Sequence, residues 1–249
     1  KFRFDAHMIQ HMAMMMIVPP LWALGAPVTL LSRAVTPRTD GSRGIREWVL
    51  AALHSGYSRV LSAPPVAGLI FAGSLVIFYF SPLFELAMYH HLGHTLMTVH
   101  FLASGYLFAW VLIGIDPSTR PINPVLKLIT LLVTLAFHAF FGVALVSATW
   151  LVAEHWYLDL GMYPTERLEL IQTRGGTIMW AISEVPTLGY AIIVAVLWMQ
   201  SDDRRARQYD RKAERDGGAE LAAYNAYLAS LRGESPAPEA QESEPPEET

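Results

Sequence analysis

His7 and His11 stand four residues apart, and so do His90 and His94, the second pair being followed by Met97 and His100. A spacing of four puts two side chains on one helical face, so each pair can offer two imidazoles to a single centre. Met8, Met12, Met14, Met15 and Met16 surround the first pair. Imidazole beside thioether sulfur suits a soft copper ion, Cu(I) ahead of Cu(II), and matches a hard oxygen-seeking cation poorly. Both pairs open long apolar runs, where ionisable side chains are costly and mark candidate functional sites. The chain has no cysteine, which excludes disulfides, thiolate metal sites and cysteine nucleophiles.

Depth along the runs sorts these residues. At ~1.5 Å of rise per residue, His11, His100 and Glu184 reach a similar level, roughly ~10 Å below one end of their helices. His7, His94 and Met179 form a shallower ring. The candidate metal ligands are therefore His7, His11, His94, His100, Glu184, Met15, Met97 and His90. Each has a plainer reading. His7 and His11 could be an interfacial pair hydrogen-bonded to an outer loop. Glu184 is a ligand, a partner for a bound imidazole, or a protonated carboxyl on a hydroxyl. The methionines run around the whole helix, so part of them must pack. The arc from His94 through Met97 to His100 covers about ~120° of helix, so one metal need not touch all three. His138, near the middle of its run, reads better as a packed, hydrogen-bonded core histidine than as a ligand. His54 and His155 read as surface residues.

The elements that must position these groups are membrane helices. Hydrophobic residues are 53% of the 249 and charged residues 16%, with mean hydropathy +0.31. A span needs roughly ~20 apolar residues, and five segments qualify: 7–31, 65–88, 92–115, 125–151 and 177–199. The fold class is all-α, a polytopic transmembrane bundle over 1–200. Residues 45–61 are too interrupted to span and suit an interfacial amphipathic helix. Pro19-Pro20 and Pro27 predict a kink or break in the first span, Ser81-Pro82 a bend in the second, and Asp116-Pro117 the end of the third. Arg120-Pro121 and Asn123-Pro124 then shape a tight turn. Residues 152–176 form one sizeable outer loop, Gly175-Gly176 leads into the last span, and Pro186 suggests a local break within it. Residues 201–232 suit a polar cytoplasmic helix, and the Pro/Glu-rich 233–249 a disordered acidic tail.

Charge sets the expected orientation. Of the 18 basic residues, Lys1, Arg3, Arg167 and Arg174 fall on one side of this arrangement. The other 14, among them Arg33, Arg38, Arg43, Arg46 and Arg59, fall on the opposite side, which the positive-inside rule makes cytoplasmic. Both histidine pairs then face the extracytoplasmic side of a plasma membrane, and the C-terminus is cytoplasmic. Lys1 is not an initiator, so upstream residues are expected. No hydrolytic triad, phosphate loop or dinucleotide fingerprint is present, and nothing points to nucleic acid.

Four stretches carry a resemblance: FDAHMIQHMAMMMIVPPLWALGAPV at 4–28, HHLGHTLMTVHFLASGYLFAWVLIGIDP at 90–117, FHAFFGVAL at 137–145 and GGTIMWAISEVPTLGY at 175–190. Together they resemble the CtaG-type cytochrome c oxidase assembly factors, in the family's order over most of 1–200. That resemblance implies seven spans, two of them N-terminal to this chain, and a client among haem-copper oxidase subunits. It also implies a role in supplying copper to the oxidase. In actinobacteria such a domain is often fused behind a CopD-like copper-resistance domain, so a copper-handling domain in the same polypeptide is expected. The resemblance brings no ligand set.

The expectation is thus a non-enzymatic membrane assembly factor for a haem-copper oxidase that binds or delivers copper from the extracytoplasmic side. Two alternatives stand beside it. One is a haem-binding electron carrier with histidines as axial ligands, against which His100 and His138 lie at different depths. The other is a structural oxidase-associated scaffold whose histidines only pack.

Overall fold

The computed structural model describes residues 3–36, 44–116 and 122–232, and every regular element among them is helical. The all-α expectation holds. Three helices are long and apolar enough to cross a membrane: α8 (His91–Ile113), α9 (Pro124–Val146) and α11 (Thr165–Arg215). Two bent pairs bring the candidates to five. Lys1, Arg38, Arg43, Arg120-Pro121 and the acidic tail 233–249 lie outside the described residues. The chain divides into two compact units, Lys1–Trp198 and Met199–Thr249.

In the first unit α8 is the hub, packing on the first span and on the helices that follow it. That first span is α1 (Phe4–Met12), a π-helical turn (Ala13–Ile17) and α2 (Val18–Leu24), continued after a 42° bend by α3 (Pro27–Ala34). The prolines explain both irregularities. Pro19 and Pro20 have no N–H to donate and crowd the preceding carbonyls, and widening the turn before them relieves that conflict. The bend falls at Gly25-Ala26, where Ala26 takes the left-handed φ of 47° ahead of Pro27. The widened turn leans on α8 at Gly105, where a Cβ would come within 2.3 Å of the Met15 carbonyl oxygen. Only glycine permits that approach.

Asp116 caps α3 from a distance. Its carboxylate accepts hydrogen bonds from the Thr29 N–H at 2.8 Å, the Thr29 hydroxyl at 2.7 Å and the Val28 N–H at 3.3 Å. These are among the first N–H groups of a helix, which have no intrahelical acceptor. α8 itself stops at Ile113, three residues before Asp116, on a left-handed Gly114.

The expected interfacial helix at 45–61 is two helices, α4 (Ile45–Leu53) and α5 (Gly56–Leu61). They separate because the Ser55 hydroxyl caps α5 by accepting the Ser58 N–H. The second span is α6 (Pro64–Tyr79) and α7 (Leu83–Tyr89), which meet at a 68° elbow. At the elbow the Ser81 hydroxyl bonds the Ile77 carbonyl and Pro82 starts the new helix, as that dipeptide predicts. α9 is capped by Asn123, whose side chain accepts the Val125 N–H at 2.9 Å.

The region expected as an outer loop is largely helical. α10 covers Glu154–Asp159, and α11 begins at Thr165, well before the expected residue 177. The early start lets Leu168, Ile171 and Gln172 add a buried seam to the bundle. Gln172 pins the preceding turn, accepting the Val152 N–H at 2.8 Å and donating to the Trp150 carbonyl at 2.9 Å. Gly175 and Gly176 are inside the helix, where they admit the Phe4 ring and the Gly142 carbonyl. Pro186 does not break α11.

In the second unit, the end of α11 and α12 (Ala219–Leu231) are separated by left-handed Gly217 and Gly218, so the expected polar helix is divided there. Lys212 and Glu220 pair across that turn at 2.8 Å, which holds the Glu220 carboxyl below its ordinary range.

Candidate metal site

α1 places His7 and His11 one turn apart on its buried face, each 4% exposed, with Met8 and Met12 buried beside them. α8 brings His94 to the first of them: the His7 and His94 rings lie 5.6 Å apart, centre to centre. The rings are tilted, so their nitrogens are not held in a stack. Neither ring nitrogen of His7 has a hydrogen-bond partner among the described residues, although both are buried. Buried polar groups are nearly always bonded. One left unmade costs about 1–3 kcal/mol, so such a group implies a ligand or a functional constraint.

The surroundings are aromatic and thioether. Phe84, from α7, sets its ring edge-to-face on His7 at 5.3 Å. Tyr79, at the end of α6, does the same to His11 at 5.7 Å, and Phe101 of α8 packs on His11 at 4.1 Å. Tyr79 and Phe84 stack on each other at 4.9 Å. The Tyr79 hydroxyl points to the Met8 sulfur at 4.0 Å. Tyr79 and Phe84 stood outside the ligand reasoning, because an aromatic in an apolar run carries no period that distinguishes a site wall from ordinary packing.

Met97, one helical turn below His94 on α8, is 1% exposed, and Met15 is fully buried in the π-helical turn against α8. The remaining candidates are dispersed. His100 is exposed on α8 and bonds the Ser74 hydroxyl at 2.8 Å through Nε2. His90 is exposed at the N-cap of α8. Glu184 is exposed on α11, while its neighbours Ser183 and Thr187 turn inward and bond the Trp180 and Ser183 carbonyls. No three His, Asp or Glu side chains among the described residues converge closely enough to hold one metal ion. The core that converges is the His7–His94 pair, with Met8 and His11 along one strip of α1. A pair of imidazoles with a thioether nearby still suits Cu(I), a soft ion.

His138 is buried as expected, at 1% exposed, with Phe71 at 6.3 Å, but it is not hydrogen-bonded: neither ring nitrogen has a partner among the described residues. His54 is exposed and its Nδ1 meets the Leu50 carbonyl at 2.7 Å. His155, 80% exposed, pairs with Glu85 at 3.2 Å. At the start of α1 Arg3 donates to Asp5 at 3.0 Å, which raises the guanidinium above its ordinary value, first through the hydrogen bond and then through the opposite charge. Burial, and after it the charge of Asp5, raises the nearby Tyr157 phenol too.

Fold and site together define a helical membrane protein with buried imidazoles and thioethers near one end of its bundle. Residues 1–201 match the family described as the cytochrome c oxidase caa3 assembly factor, and the chain belongs to that family. It is also similar to uncharacterized proteins of Mycobacterium leprae, 37% identical over 230 residues, and of Mycobacterium bovis and Mycobacterium tuberculosis, 38% identical over the same length. Each alignment covers 92% of this chain and 35% of the relative, so the chain spans about a third of the length of the curated relatives it matches. No solved structure matches it.

Proposed function

We propose that this chain assists assembly of a haem-copper oxidase by holding Cu(I) at His7 and His94 near the extracytoplasmic face and passing it on. Membership of the assembly-factor family supports the oxidase role. The copper role rests on one observation: two imidazoles from different helices lie side by side, and both nitrogens of His7 are buried without a partner. A transit site differs from a storage site in needing few ligands, because a two- or three-coordinate ion is released by exchange with an incoming donor. Met8 and Met97 supply soft sulfur within one turn of the pair, His11 a further imidazole one turn deeper, and Met15 a thioether deeper still, where the span meets Gly105. His90, His100 and Glu184, on exposed faces, would act at the margins: receiving the ion, or meeting the client subunits. The protein on this reading carries a cargo and turns over no substrate.

Cu(I) titration of the purified full-length protein against a competing chelator tests the proposal. The expected result is about one Cu(I) per chain attributable to this site, with affinity reduced at least tenfold by His7→Ala or His94→Ala. Unaltered binding by the double variant would refute the site.

A further inference from the structure

Beside the elbow between α6 and α7 lies an open cavity of about 340 Å³ that none of the ligand candidates lines. Its lining includes the stacked Tyr79 and Phe84 rings together with Ser81, Glu85, Trp150 and Val152. The same two rings also meet the histidines: Phe84 packs on His7 and Tyr79 on His11. The cavity and the histidine site therefore have these two aromatic rings in common.

We propose that this cavity is where a small Cu(I) complex is taken up, and that Tyr79 and Phe84 form the partition it crosses to reach His7 and His94. This rests on the copper reading above. The volume is roughly ten times the ~30 Å³ a water molecule takes in the liquid. It therefore fits an ion with one or two small donor molecules and excludes a protein domain. The Glu85 carboxylate stands in its wall, a negative charge that raises the local concentration of a cation. Aromatic rings in the same lining attract cations in turn. Beyond them, the Tyr79 hydroxyl is already turned to the Met8 thioether, the first soft donor on the inner side. The mouth is held by contacts between α7 and α10, the Glu85–His155 pair and the Tyr89–Asp159 hydrogen bond.

These 249 residues contain no cysteine, so with any cysteine elsewhere in the full-length protein replaced, single thiols can be placed at will. Ser81→Cys and Glu85→Cys are each modified in the full-length protein with either a methyl or a bulky aromatic methanethiosulfonate, so that no free thiol remains. His54→Cys, near the start of the second span, serves as the control site. The bulky adduct at either cavity position, compared with the methyl adduct, is expected to slow Cu(I) uptake at least tenfold. It should leave equilibrium stoichiometry unchanged and protect His7 from diethylpyrocarbonate. Uptake and His7 reactivity that are the same with both adducts, in protein that binds copper at equilibrium, would overturn the cavity as the route. Absence of equilibrium copper binding in the methyl-modified and unmodified proteins would overturn the copper reading and this route with it.

Discussion

At the scale of single residues, a buried imidazole is a cost that something must offset. Among the described residues, His7 and His138 each leave both ring nitrogens unpartnered, and His11 leaves Nε2. A purely packing residue at position 7 would be better served by leucine, whose burial is favourable by about 1.5–3 kcal/mol. His7→Leu is thus expected to keep or raise the thermal stability of the copper-free protein while removing copper binding, the trade seen when a functional residue strains its site. A fall in melting temperature with copper binding intact would make His7 structural. His100→Ala provides the contrast: its ring already bonds Ser74 on an exposed face, so it should change Cu(I) affinity by less than threefold in the same titration. The i, i+4 spacing made His7 and His11 legible as one face of α1, and the packing agrees. The level expected for His100 and Glu184 is only one of two coordinates. Rotation around the helix decides whether a side chain meets the bundle, and runs as uniformly apolar as α8 and α11 contain no polar stripe from which to read it.

At the scale of elements, the irregularities are tied to named residues. The five apolar runs coincide with the three long helices and two bent pairs, and the elbow falls at Ser81-Pro82. Proline announced a defect in the first span, but proline alone does not say whether the helix kinks, breaks or widens. That choice was made by tertiary contact, because Gly105 lets the widened turn approach α8. Gly105→Ala should therefore destabilise the protein by about 1–3 kcal/mol, the usual cost of overpacking, read as a lowered melting temperature in detergent. An unchanged melting temperature would mean that the π-helical turn does not depend on this contact. The Asp116 cap was invisible in the sequence because its partners are 87 and 88 residues away. Asp116→Ala is expected to cost about 1 kcal/mol, as loss of a helix cap does, and Asp116→Asn to recover much of it.

At the scale of the whole molecule, orientation decides what the site can meet. The histidine end of the first unit also carries the start of α11 at Thr165, whereas His54 precedes the opposite end of α6. With the cytoplasm on the basic side, a cysteine placed at Thr165 should react with a membrane-impermeant thiol reagent in intact cells, and one at His54 only after lysis. The reverse pattern would put the histidines on the cytoplasmic side and remove the proposed supply of copper. The relatives extend well beyond the matched third of their length, so these measurements belong on the full-length polypeptide. The central claim is that His7 and His94 together bind copper, and X-ray absorption at the copper K-edge reads it most directly. In Cu(I)-loaded protein the account predicts a low-coordinate ion with the multiple-scattering signature of two imidazoles, one of which disappears in His7→Ala and one in His94→Ala. An undiminished two-imidazole signature in the double variant would contradict it.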